Sequence, residues 1–377
     1  MSQKRWTMTE ADVTLDGDAL RSGCRVTKRT LHGGLRDGVE LIEVDNGAFR
    51  FAVIPQRGMG VWKGWLGDDE IGWQSPIRGP VHPKFVPLTE PSGLGWLDGF
   101  DELLVRCGLE SNGAPEFDAE GRLAYPLHGR IANKPGQQVD VRVDESTGEI
   151  SVTGVVEETR FHFQKLRLTS TITTAPGELG FRIHDEVENL SASPAGTQMI
   201  YHVNFGEPLL DPGSRLVAPL VKVVPRNEHA AGGLNDWKTY GPHEAGCEEQ
   251  VYFTQLASDE DGWTQTLLKN ATGSRGVSLH CDTSTLPCFS VWKNTTASED
   301  GYVTGLEPGT NFPNPRTFEA EQGRVVQLPP RGNVTYDLRI ELHADAKSVR
   351  QAEAAVAALA SGVKAIVEGG PTADWCA

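Results

Sequence analysis

The chain has 377 residues, 38% of them hydrophobic, and a formal net charge of −16. It is longer than the usual ~100–200 residues of one domain and long enough to bury a sizeable core. The acidic balance argues against nucleic acid, which demands a basic face, and against an anionic membrane surface.

The first residues, Met1-Ser2-Gln3-Lys4-Arg5-Trp6-Thr7, lack the apolar stretch of a signal peptide. No run approaches the roughly 18 apolar residues that span a bilayer. The six cysteines are scattered and form no CxxC pair, which is the pattern of free thiols in a reducing cytoplasm.

In chain order, Val39 to Val44 reads as a strand. Asp45-Asn46-Gly47 follows as a hairpin turn, because Asn and Gly tolerate positive φ. Phe49, Phe51 and Val53 then alternate until Pro55 ends the run. A glycine-bearing turn, Gln56-Arg57-Gly58-Met59-Gly60, leads into Val61 to Leu66. Residues 67–135 are irregular and rich in Gly and Pro, but their tryptophans argue against disorder. They are expected to be ordered loops over one face of a sheet. From Val139 the period-2 alternation is insistent, through Glu149 to Val156, Phe161 to Thr174, Leu179 to Glu188 and Met199 to Val203. Asn333 to Leu342 is the cleanest strand. One helix is predicted near the end, capped by Asp345, with Val349, Val356 and Leu359 roughly on one face and Gly362 to stop it. The expected fold class is all-β: a large antiparallel β-sandwich with long loops and a C-terminal helix. One domain is expected over 1–377, with 1–30 as an N-terminal extension and 345–362 as the helix.

There is no G-x-S-x-G elbow, no GxGxxG after a strand, no Walker loop and no HExxH, so nucleotide cofactors and serine hydrolysis are disfavoured. Three ionisable groups stand out. Glu307 lies in Gly305-Leu306-Glu307-Pro308-Gly309, after a strand that ends in Trp292. The prolines of Asn311-Phe312-Pro313-Asn314-Pro315 stop any ladder beyond it. His202 sits on a strand among apolar residues, followed by Asn204. His128 sits in a Gly-flanked loop beside Arg130. A satisfied core histidine is the plain alternative for His202, and a turn residue for His128. Arg57 and Arg130 both adjoin glycine and read equally well as surface charges.

The ordered landmarks resemble the aldose 1-epimerase, or galactose mutarotase-like, superfamily over roughly residues 30–345. Ile54-Pro55-Gln56-Arg57-Gly58 looks like its early P-x-R-G turn. Pro126-Leu127-His128-Gly129-Arg130 looks like its HG-x-x-R loop, with Arg130 here directly after the Gly. Ile200-Tyr201-His202-Val203-Asn204-Phe205 looks like the strand that carries the acid histidine, with Tyr201 in place of Asn and the aromatic displaced to Phe205. Val303-Thr304-Gly305-Leu306-Glu307-Pro308 looks like G-x-x-x-E-P, which carries the base. Arg331-Gly332 and Tyr336 resemble the closing strand. Trp96 to Leu109 is more similar to a bacterial branch of unknown function than to the galactose enzymes themselves.

The resemblance implies a mutarotase-like isomerase, with Glu307 as base and His202 as acid, acting on a small carbohydrate without a cofactor. It also implies that His128 and Arg130 bind hydroxyls. Arg57 would hold a hydroxyl or an acidic substituent, since its fork suits carboxylate or phosphate. Trp292, and Trp73 or Trp96, would stack on a sugar face, and Asn204 would contribute to substrate binding. Other readings remain: an epimerase of a modified or keto sugar, a non-catalytic carbohydrate-binding protein, and a metal-dependent variant using His128, His202, Glu207 and Glu307. No fixed ligand spacing supports the last, and no metal is expected.

Overall fold

The computed structural model describes residues 3–8, 12–16, 20 and 23–377. Among them, two large sheets pack face to face. The first runs from Gln3–Thr7 through the long strands Gly136–Asp144, Ile150–Thr159, Lys165–Thr174 and Gly180–Asn189. It continues with Asn333–His343, Gly276–Asp282, Trp263–Lys269 and Arg215–Val217. Its hairpins follow from the sequence: buried and part-exposed residues alternate along Ile150–Thr159 and Lys165–Thr174. Asp144 closes one turn by accepting the backbone N–H groups of Ser146 (2.8 Å) and Thr147 (3.1 Å).

The second sheet passes from Val13–Leu15 through Arg25–Thr30, Glu40–Asp45, Arg50–Ile54 and Gly60–Leu66 to Leu104–Leu109. Beyond that lie Ala195–Gly206, Val303–Gly309, Cys288–Asn294, Gln250–Leu256 and Leu220–Pro225. A short parallel strand, Ile366–Val367, closes its far edge. The apolar core fills the space between the sheets. Val152, Leu168, Ile183 and Ile340 enter it from the first, and Phe51, Leu104, Val203, Val291 and Leu306 from the second. Burial of this kind drives the fold at roughly 25 cal/mol per Å² of apolar surface.

One buried ionic cluster crosses that core. Arg106, from the second sheet, donates through Nη2 to Asp185 Oδ1 of the first at 3.0 Å. The Tyr201 hydroxyl donates to Asp185 Oδ2 at 2.8 Å, and Ser170 and the Met59 carbonyl accept from the guanidinium. Arg106, Ser170, Asp185 and Tyr201 have no solvent exposure.

Leu104–Leu109 corrects the expectation of loops throughout 67–135. All six of its residues are buried, Leu104 and Leu109 in the inter-sheet core and Val105 and Cys107 beneath the loops. A strand covered on both faces shows no alternation. Short strands also interrupt the stretch, Asp69–Ile71 beside Gly60–Leu66 and the small hairpin of Glu116–Phe117 with Leu123–Tyr125. The remainder forms ordered loops, and Trp73, Trp96 and Phe100 pack on the outer face of the second sheet. The C-terminal helix, Ala346–Leu359, is capped by Asp345, which accepts the Ser348 N–H at 2.8 Å. It buries Val349, Ala352 and Val356 and stops three residues before Gly362. No helix among the described residues is long and apolar enough to cross a membrane.

Candidate active site

The outer face of the second sheet carries the site. Along Ala195–Gly206, Tyr201, Val203 and Phe205 enter the core, so alternation turns His202 and Asn204 to the other face. Antiparallel pairing of Val203 with Leu306 brings His202 opposite Glu307, and pairing of Trp292 with Gly305 adds the indole. The result is a direct contact, His202 Nε2 to Glu307 Oε1 at 3.2 Å, with both side chains buried. Gly305 makes room for it. A Cβ there would lie 2.6 Å from Glu307 Oε1 and 2.8 Å from His202 Cε1.

The pair opens into a cavity of about 250 Å³ that is also lined by Trp96, Phe100, His128, Glu249 and Trp292. Leu94 and Leu97 border it and are 43% exposed, which marks the mouth. His128 lies with its ring 5.5 Å from that of His202 and 4.6 Å from that of Trp96. Its backbone is left-handed (φ 56°), a conformation rare outside glycine. Two bonds hold it there: the His128 N–H donates to the Gly113 carbonyl at 2.9 Å, and Nδ1 lies 3.0 Å from the Asn112 carbonyl. A carbonyl only accepts, so Nδ1 carries the hydrogen and Nε2 is a bare acceptor. The Asn112 and Asn311 amides bond each other reciprocally, both at 2.8 Å. They tie the His128 loop to the segment that follows Glu307.

Electrostatics favour neutral forms. Burial pushes the His128 pKa down to about 4. It also pushes His202 down, with His128 adding to the effect, and pushes Glu307 up, reinforced by the negative charge of Glu249 and opposed by Arg226. Glu249 accepts from Trp292 Nε1 at 2.6 Å and from Arg226 Nη2 at 3.0 Å, and all three residues line the cavity.

Glu307, His202, His128 and Trp292 are therefore brought together, and Trp96 with them. Four expected contributors do not line the cavity. Arg57 is fully buried, its fork bonded to Glu102 Oε1 (2.6 Å), the Gly99 carbonyl (2.8 Å) and Asn133, so it ties the loops together. Arg130 pairs with Glu110 at 3.4 Å. Trp73 donates to the Glu102 carbonyl and packs against Phe100 at 4.8 Å, beneath the site. Asn204 sits behind His202, with Oδ1 2.6 Å from Nδ1. Glu207 faces His243 at 3.4 Å instead of joining the cluster. Sequence reasoning missed Arg226 and Glu249. Each abuts the end of a strand, Leu220–Pro225 and Gln250–Leu256, and the two strands are sheet neighbours. A charge immediately flanking an apolar strand was the available signal.

This two-sheet antiparallel sandwich, with its loops gathered over one outer face, is the galactose mutarotase-like fold. Residues 36–342 match the family described as a domain of unknown function, DUF4432, and the chain belongs to that family. A protein from Klebsiella pneumoniae subsp. pneumoniae, provisionally called an aldose 1-epimerase, is 33% identical, with 99% of each chain covered and a TM-score of 0.94. A galactose mutarotase-like protein from Clostridium acetobutylicum is 14% identical (84% of this chain, 98% of the other, TM-score 0.58). The galactose 1-epimerase of Lactobacillus acidophilus is 12% identical (85% and 98%, TM-score 0.54). The last two likenesses are of fold alone. No curated protein matches the chain in sequence.

Proposed function

We propose that this protein is an isomerase that interconverts the anomers of a small aldose by acid–base catalysis, with Glu307 and His202 moving the protons. The observation that carries this reading is their buried 3.2 Å contact beside an aromatic-lined cavity. In a cyclic sugar, the anomeric oxygen O1 and the ring oxygen O5 are both bonded to C1. Two adjacent groups on the protein therefore reach both. One takes the O1 proton while the other gives a proton to O5. The C1–O5 bond breaks, the C1–C2 bond rotates, and the ring closes on the opposite face. Catalysis of this kind is typically worth about 10²–10⁴-fold, and the two groups need no cofactor.

His128 Nε2 accepts a sugar hydroxyl, and Glu249 and Arg226 bind hydroxyls toward the mouth. Trp292 covers an apolar sugar face, and Trp96, fully buried, supports the Phe100 and His128 rings from behind. The free thiols Cys107, Cys247, Cys281, Cys288 and Cys376 suit a reducing, cytoplasmic setting.

The test is NMR of freshly dissolved aldoses, sugar phosphates and uronic acids with the protein added. Anomer exchange should accelerate in proportion to protein concentration for at least one class. Binding without exchange would make the protein a carbohydrate-binding module. Deuterium entering a C–H position would make it an epimerase of a modified or keto sugar. In the same assay, Gly305→Ala should lower the rate by about 10²-fold, since misplacement of catalytic groups by about 1 Å costs that much, while the overpacking costs about 1–3 kcal/mol and leaves the chain folded.

A further inference from the structure

The orientation of one amide bears on which member of the pair holds the proton. Asn204 Nδ2 donates to the Glu102 carbonyl at 2.9 Å and to the His202 carbonyl at 3.2 Å. Both are pure acceptors, so the amide cannot be flipped, and Oδ1 must be the atom that faces His202 Nδ1. Oδ1 only accepts, so Nδ1 carries a hydrogen. The neutral imidazole then has no hydrogen on Nε2, and Nε2 is the atom that meets Glu307 Oε1. That contact needs one proton. Either a carboxylic acid donates to bare Nε2, or an imidazolium donates to a carboxylate.

The surroundings favour the first arrangement. Glu307 is faced by Glu249, whose charge opposes a second carboxylate, and by Arg226, which is already paired with Glu249. Cys107 lies beneath as a neutral thiol. His202 is faced by His128, whose ring offers no negative charge. Position 204 supplies an amide, whereas an aspartate there would have stabilised an imidazolium.

Building on the isomerase reading, we propose that Asn204 is a positioning residue that fixes the His202 tautomer and so sets the direction of proton transfer. Glu307 is the resting acid and His202 Nε2 the resting base, the reverse of the roles that the sequence resemblance implies. Nε2 takes the O1 proton as the C1=O1 bond forms. The electrons of the breaking C1–O5 bond pass to O5, which takes the Glu307 proton. Closure runs these transfers backwards: O5 attacks C1, the carboxylate recovers its proton from O5, and O1 recovers its own from the imidazolium. The site returns to its starting state with no net charge or atom exchanged.

A pH–rate profile cannot separate the two role assignments, because both contain the same number of protons. The tautomer can. The experiment is ¹⁵N NMR of the full chain with ¹⁵N-labelled histidine at pH 7 without ligand, with the His202 signals assigned by their loss in His202→Gln. A protonated, pyrrole-type Nδ1 and an unprotonated, pyridine-type Nε2 are expected. Protonation of both nitrogens, or an Nε2–H tautomer, overturns the proposal. Asn204→Asp should move Nε2 to the protonated form. Asn204→Leu should mix the tautomers and lower anomer exchange by about tenfold or more, as a wrong tautomer does in other acid–base sites. The tautomer is read without substrate. A protein inert toward every sugar would sink the isomerase reading and leave this measurement intact.

Discussion

Glu307→Gln should slow catalysed anomer exchange by about 10²–10⁴-fold while the unfolding temperature stays near that of the parent protein. Gln matches Glu in shape, and its amide can still donate to His202 Nε2 across the 3.2 Å contact, but it has no proton to transfer. On the proposed chemistry, the parent protein should show a plateau of rate through neutral pH. Above about 8, Glu307 ionises and the pair loses its single shared proton, so the rate falls. On the acid side, His128 gains a proton below about 4 and no longer accepts a hydroxyl, and His202 follows at about 3. A Glu307→Gln variant that equilibrates the sugar at the parent rate would remove Glu307 from the mechanism.

Asp185→Ala should be the most destabilising single change, at about 3–5 kcal/mol in denaturant unfolding, because it strands a buried guanidinium. Arg106 and Asp185 are both fully buried, and Tyr201 would lose its acceptor with them. Replacing the pair together, as Arg106→Met with Asp185→Leu, should recover most of the loss, since well-packed apolar residues often substitute for a buried ion pair without cost. A loss under about 1 kcal/mol for Asp185→Ala would mean that the cluster does not hold the sheets together. Activity should fall beyond the change in folded fraction, because Tyr201 neighbours His202.

Most of the fold could be read because most strands have one covered and one wetter face. Lys165–Thr174 and Asn333–His343 show the alternation that this produces. Leu104–Leu109 could not be read, since a strand buried on both sides has no pattern to display. Within the site, Glu307 and His202 were visible through their neighbours, one among glycines and proline and the other on an apolar strand. Arg57 was placed in the site through the resemblance of its turn, and its burial was not legible there. Its partner Glu102 lies 45 positions away, and only the folded loops bring the two together. Arg226 and Glu249 become neighbours through sheet pairing across an intervening excursion of the chain, a relation that local spacing does not encode.

The reciprocal Asn112–Asn311 amide pair joins segments 199 positions apart. It anchors the segment whose Asn112 and Gly113 carbonyls hold His128 to the stretch just past Glu307, so a guest would meet a hollow already braced. A ligand would then forfeit little to ordering of the host, and its affinity should reflect mainly its own lost freedom and the water it displaces. Entry should resemble a key meeting a finished lock, with association rates insensitive to solvent viscosity beyond the diffusive encounter.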